Sequence, residues 1–251
     1  MKPRGSRWWP KLLALALGLL LALAPATTSA ARATIRYTAL GDSIARGMGA
    51  TASYGYVDHV RDSLLTRHRA VVLVNAAIPG MASGDLLLQL RTDPVTRAAV
   101  KQAQVLTISI GGNNLLPCAS DNYETVDTAC AAAGVAAFRR DWAQLLAEIR
   151  EGIGARAALY AMTLYNPYPG DHPNYAVADS YIEQLNATIR DAGYTAGYRY
   201  AYAEAHGAFR GQAGGTWKVC LWTHFCEVAR DPHPSDGGHR ELAALHAALY
   251  R

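Results

Sequence analysis

The sequence predicts an α/β domain with a central, mainly parallel sheet, and three observations carry that expectation. Apolar strand-like runs alternate with helical patterns along the chain, the order that crossover connections impose on a parallel sheet. Segments able to carry chemistry fall directly after strands, at the sheet edge where ligands gather in such folds. Finally, about 220 residues remain once a leader-like N-terminus is set aside, enough for one domain with a full core.

Taken in order, the first thirty residues read as a secretory signal peptide. Lys2, Arg4, Arg7 and Lys11 form a basic start. Leu12 to Ala24 is apolar but shorter than the ~20 residues of a spanning helix, and Thr28-Ser29-Ala30 supplies small residues for cleavage. The rest, residues 31–251, is expected to be a single domain. The expected strands are Thr34–Leu40, Val71–Asn75, Val105–Ile110, Ala157–Leu164 and Tyr198–Tyr202. The expected helices are Tyr54–Arg67, Gly84–Leu90, Pro94–Gln102, Ala131–Glu151, Tyr175–Ala192 and Asp236–Tyr250. In the fourth of these, Val135, Phe138, Trp142, Leu145, Leu146 and Ile149 recur near helical periodicity and should be core. Asp236 is expected to cap the last helix.

Charge excludes one class of partner. The chain has 24 Lys+Arg and 20 Asp+Glu, but the leader holds four basic residues and no acidic one, leaving 20 of each sign. The basicity belongs to targeting, and no nucleic-acid footprint remains. No P-loop, dinucleotide fingerprint or zinc spacing occurs, so no cofactor and no metal are implied. The four cysteines, an even number in an exported chain, predict disulfides. Three connectivities are open in principle. The local pairs Cys118–Cys130 and Cys220–Cys226, each in loop-like sequence, are favoured.

The candidate chemistry begins at Ser43, in Gly41-Asp42-Ser43 after the first strand. Gly111-Gly112-Asn113-Asn114 follows a later strand, and Asp231-Pro232-His233-Pro234 lies near the C-terminus. A serine hydroxyl needs a base within hydrogen-bond reach and donors aimed at the developing oxyanion. Histidine suits the base because its ordinary pKa of ~6.5 leaves it mostly neutral at pH 7. Asn113 can offer a neutral amide. Asp42 is expected to tie down loop amides. His239 is the rival base, with helix-start packing as its favoured role.

These blocks, with Asn75 to Ser83, resemble the SGNH (GDSL-type) hydrolase family across the chain beyond the leader. The resemblance implies a three-layer α/β/α, flavodoxin-like fold with a five-stranded sheet. It implies Ser43 as nucleophile and His233 as base. It also implies an oxyanion hole from the Ser43 and Gly80 amides and the Asn113 side chain. Many members place the third triad residue three before the histidine, where this chain has Arg230; Asp231 is two before. Asp231 or a backbone carbonyl near Arg230 would orient the imidazole. Asn114 stands where the family often has Asp. The activity implied is a secreted serine esterase or lipase acting on a small-molecule or lipid ester. A carbohydrate esterase using the same residues is the alternative. Apolar Ile44, Met48, Ile78, Pro79 and Met81 lean toward an acyl pocket. A classical α/β-hydrolase is disfavoured because Ala45 removes the last Gly of the Gly-x-Ser-x-Gly elbow. A non-catalytic binding role is disfavoured because Ser43, Asn113 and His233 all stand at the matching positions.

Overall fold

The computed structural model describes Met1 and residues 33–250; the expected leader at 2–30 lies outside the described residues. The chain alternates strands and helices from the start. β1 (Thr34–Gly41) leads into α1 (Ser43–Arg46) and α2 (Tyr56–Leu65). β2 (Ala70–Asn75) is followed by α3 (Ser83–Thr92) and α4 (Pro94–Gln102). β3 (Val105–Ser109) precedes α5 (Gly112–Leu115) and the long α6 (Thr128–Ala147), which ends in a π-turn over Glu148–Gly152. β4 (Ala158–Met162) leads to α7 (Tyr175–Arg190) and α8 (Ala192–Tyr198), and β5 (Tyr200–Ala203) to α9 (Ala205–Phe209). Two small hairpins close the chain, β6 (Gln212–Ala213) with β7 (Thr216–Trp217), and β8 (Thr223–His224) with β9 (Asp231–Pro234). α10 (Lys218–Trp222) lies between them and α11 (Asp236–Ala247) follows.

The five main strands form one all-parallel sheet in the order β2-β1-β3-β4-β5. Helices cover both faces, which is why β3 is buried at every position. On one face Leu40, Leu106 and Ile108 pack with Leu86, Phe138, Trp142 and Leu145. On the other, Tyr37, Ala39 and Val105 pack with Val57, Val60 and Leu242. Alternate residues of one strand thus feed two cores, giving the three-layer α/β/α architecture. The strand order reverses direction between β1 and β3, the point where such sheets open a crevice at their C-terminal edge. At this point Gly41 pairs with Ser109, and the Asp42 amide donates to the Ser109 carbonyl at 3.2 Å. A Cβ on Gly41 would stand 2.1 Å from that carbonyl oxygen, so only glycine lets the strands close here.

The sequence reading and the fold differ in particulars. The long helix begins three residues early, because Asp127 caps it by accepting the Ala129 and Cys130 amides. The fifth strand starts at Tyr200, because α8 occupies the preceding residues and Arg199 ends it in a left-handed conformation, φ 50°. Asp236 does not cap the last helix. Ser235 does, accepting the Gly238 amide, while Asp236 accepts from the Thr51 amide and hydroxyl at 2.7 and 2.8 Å. Three short helices, α8 to α10, carried too few turns to register as a periodicity.

Candidate active site

Ser43 stands at the first position of α1, immediately beyond β1. Asp42 caps that helix by accepting the Ile44 amide at 3.0 Å, as its turn position predicted. Asp42 is buried, and burial pushes its carboxyl up to about 7, against the lowering effect of the hydrogen bond from Ile44.

His233 reaches Ser43 from the opposite end of the chain. Its Nε2 lies 2.8 Å from Ser43 Oγ. Its Nδ1 lies 2.5 Å from Asp231 Oδ1, the same oxygen that accepts the His233 amide at 3.0 Å. The two-residue spacing brings the carboxylate back over its own turn, against the imidazole. Arg230 turns away in a left-handed backbone, φ 47°, and donates to the Asn122 carbonyl at 2.5 Å. The Tyr165 hydroxyl donates to the Pro232 carbonyl at 2.6 Å and steadies the peptide between Asp231 and His233.

His239 is fully buried and faces elsewhere. Its Nδ1 accepts the Tyr56 amide at 3.1 Å and its Nε2 donates to the Met48 carbonyl at 2.9 Å. Burial pushes its pKa down to about 4, against the raising effect of the Met48 bond. Both nitrogens are committed to structure, so the packing role holds.

Asn113 and Asn114 open α5 beyond β3. Asn113 Nδ2 donates to the Met81 carbonyl at 2.9 Å, which leaves its second amide hydrogen for another acceptor. Asn114 accepts the Ser83 amide at 3.0 Å and donates to Ser83 Oγ at 2.9 Å, and Ser83 Oγ donates to buried Asp141 at 2.8 Å. An amide suits this position because it must donate and accept toward Ser83. Gly80 lies on the exposed loop one residue before Met81, with φ +84°. It is not part of the wall of the pocket that Ser43, Asn113 and His233 line together.

That pocket has a volume of about 140 Å³ and is apolar beyond its catalytic-looking mouth. Ile44, Leu115, Leu116, Leu164, Tyr165 and Ile182 line it. Of the five apolar residues expected there from sequence, only Ile44 does; Met48 and Ile78 are exposed. The wall residues come from the loop after α5 and from the β4–α7 segment, which no local motif marks. Cys118–Cys130 and Cys220–Cys226 are both joined, and each staples a loop beside this wall. Tyr123 of the first loop meets Phe225 of the second edge-on, ring centroids 5.2 Å apart. His172 borders the same cluster, 4.6 Å from the Tyr168 ring. His206, for which sequence offered no partner, pairs through Nε2 with Asp179 at 2.9 Å, 27 residues away. Asn186, the first residue of a glycosylation-like triplet, is fully buried. It donates to the Leu164 carbonyl and accepts the Leu164 amide, so it braces from behind the Leu164 that lines the pocket.

Comparison with known proteins follows the same lines. The model of the GDSL-like lipase/acylhydrolase family matches residues 39–241. The spore germination lipase LipC of Bacillus licheniformis is 28% identical over 162 residues, which are 62% of this chain and 74% of that protein. The chain spans 57% to 74% of the length of the curated relatives it matches. A lipase from a goat rumen metagenome superposes with a TM-score of 0.68 at 25% identity, covering 85% of this chain and 96% of that one. The acetylxylan esterase Axe2 from Geobacillus stearothermophilus superposes with a TM-score of 0.60, covering 88% of this chain and 96% of its own. At 18% identity, that last likeness is one of fold alone.

Proposed function

The chain belongs to the GDSL-like lipase/acylhydrolase family, and from that membership we propose that it hydrolyses carboxylic esters of apolar acids through an acyl-enzyme on Ser43. The observation that carries the acyl preference is the apolar pocket opening against Ser43. An acetyl group would leave such a pocket empty, whereas an alkyl chain gains about 0.8 kcal/mol per buried methylene.

In this reading Ser43 Oγ attacks the ester carbonyl while His233 Nε2 takes its proton. Asp231 holds the imidazole in the tautomer with hydrogen on Nδ1 and stabilises the imidazolium. The charge on the carbonyl oxygen meets the Ser43 amide and the free hydrogen of Asn113 Nδ2, with the Gly80 amide as the third donor. Collapse of the tetrahedral adduct breaks the bond to the alcohol oxygen, which leaves with the proton from His233. Water, deprotonated by the same imidazole, then attacks the acyl-enzyme and releases the acid and free Ser43. We further propose that residues 31–251 form the catalytic domain and that the chain is exported. Two joined disulfides fit an oxidising compartment, and the basic-then-apolar leader fits the route there.

The test is hydrolysis of p-nitrophenyl esters from acetate to palmitate by the protein and its Ser43→Ala variant. The expected result is Ser43-dependent turnover with kcat/KM rising beyond acetate. Turnover confined to acetate would overturn the acyl preference and favour an acetylated carbohydrate. Equal turnover by Ser43→Ala would overturn the mechanism.

A further inference from the structure

His224 sits on β8 opposite Asp231 in the β8–β9 hairpin, so it neighbours the very strand that carries His233. Its ring makes two contacts. Nδ1 lies 2.7 Å from Glu227 Oε1, and Nε2 lies 2.9 Å from the Gly49 carbonyl oxygen. Neither partner offers a hydrogen: one is a peptide carbonyl and the other an exposed carboxylate. Both ring nitrogens must therefore donate, which only the imidazolium can do. Consistently, the Glu227 carboxylate, and after it the Gly49 carbonyl, hold the His224 pKa above the ordinary imidazole value, with Asp231 across the hairpin acting in the same direction.

The contact with Gly49 links the two halves of the candidate machinery. Gly49 belongs to the turn that leaves α1, where the Met48 amide bonds back to the Ser43 carbonyl at 3.0 Å. The turn lies directly on β9. A Cβ on Gly49 would stand 2.3 Å from the Pro234 carbonyl oxygen and 2.9 Å from His233 Cβ. Two further stitches join the Ser43 side to α11, which follows β9: His239 to the Met48 carbonyl and Asp236 to Thr51. His239 is already neutral at pH 7, its pKa being pushed down by burial. Asp236 is held below the ordinary carboxylate range, chiefly by the Thr51 amide and hydroxyl. Neither changes charge as pH rises above neutral. His224 does.

Resting on the esterase reading above, we propose that His224 is a positioning residue. As an imidazolium it buckles the Ser43 turn to the His233 strand, and its deprotonation slackens the Ser43–His233 pair. A plain serine–histidine hydrolase keeps its activity as pH rises, because its base works in the neutral form. Here an alkaline limb appears in kcat, set by a histidine that never touches substrate. A neutral His224 retains one of its two bonds, so the effect is a partial loss.

The experiment pairs two readouts on the whole chain. Nuclear magnetic resonance of the histidine rings gives the His224 titration midpoint in the parent and in Glu227→Gln. The rate of Ser43 phosphonylation by a fluorophosphonate, followed by mass from pH 5 to 10, reads the Ser43–His233 pair with no ester needed; kcat and KM on the best ester are followed in parallel by pH-stat. The expected result is a His224 midpoint above ~6.5. Phosphonylation and kcat should fall at least about fivefold across it, which corresponds to about 1 kcal/mol, with KM changing less than twofold. Glu227→Gln should lower both midpoints together. His224→Gln should abolish the alkaline limb and leave a lowered rate that keeps only its acid limb. A phosphonylation rate flat to pH 10 in the parent, or a limb unmoved in both variants, would overturn the proposal. Phosphonylation that behaves as expected without hydrolysis of any ester would leave the buckle standing and sink the esterase reading instead.

Discussion

Asn113 Nδ2 donates to the Met81 carbonyl at 2.9 Å, tying the turn after β3 to the loop after β2 across 32 residues. The bond fixes the plane of the amide, so the second hydrogen points where the first does not. Asn113→Ala removes both. Loss of one oxyanion donor costs roughly 10²–10³ in turnover, so kcat should fall by that factor with KM within about threefold. Steady-state kinetics on the preferred ester decides it, and a loss below about fivefold would remove Asn113 from the oxyanion site.

Asp231 carries the heaviest load per atom, since its Oδ1 accepts both the His233 ring and the His233 amide. Asp231→Ala should lower kcat by roughly 10⁴, the scale on which serine hydrolases suffer when the histidine loses its carboxylate. His233→Ala should be at least as severe. A loss of only tenfold in Asp231→Ala would mean that a backbone carbonyl takes over the orienting role.

His239→Ala should behave in the opposite way. The buried ring leaves behind an unpaired Tyr56 amide and an unpaired Met48 carbonyl. Stability should drop by about 2–4 kcal/mol, read by urea unfolding, while kcat at 20 °C stays within about tenfold. A catalytic collapse without loss of stability would restore His239 as a candidate base.

Acid sensitivity should come in part from His246. It is fully buried and stacked on Tyr56, with ring centroids 5.0 Å apart. Nδ1 donates to the Leu242 carbonyl at 2.8 Å, while Nε2 has no partner among the described residues. Burial pushes its pKa down to about 4, against the raising effect of the Leu242 bond. The unfolded chain takes up this proton first, so the stability it supports is present above pH ~6.5 and is lost as pH falls toward the folded value. Asp42 has the opposite sign, because its raised carboxyl favours the folded state at lower pH. The difference between parent and His246→Leu isolates the histidine. Between pH 6.5 and 4.5 the parent should lose about 2 kcal/mol relative to the variant. Parallel unfolding curves at both pH values would show that His246 does not titrate in this window.

The Cys118–Cys130 staple should govern acyl-chain preference. The loop it closes supplies Tyr123 and Val126 to the pocket, and a loop of this length gains about 3 kcal/mol from its crosslink. A Cys118→Ala/Cys130→Ala double variant should lose long-chain turnover more steeply than short-chain turnover, flattening the p-nitrophenyl series. An unchanged profile would place the acyl chain elsewhere.

The chain's own order of residues determined the sheet, its layers and the three blocks that converge on Ser43. Gly41-Asp42-Ser43 and Asn113 could be picked out because each follows a strand, and His233 because prolines flank it just before the last helix. Strand ends of a parallel sheet share one edge whatever lies between them. The local disulfide pairs were legible for a similar reason, since each closes within a dozen residues. Tertiary structure alone decided what touches what across long separations. It set the Asp231 carboxylate against the His233 ring, because a two-residue turn lets the carboxylate fold back. It committed both nitrogens of His239 to Tyr56 and Met48, and it brought His224 to Gly49, 175 residues away. It also built the apolar pocket beside Ser43 from side chains of separate segments, replacing most of the apolar residues that sequence proximity had nominated. Periodicity and motif record which face a residue presents to its own element. They carry no information about which distant carbonyl completes its hydrogen bonds.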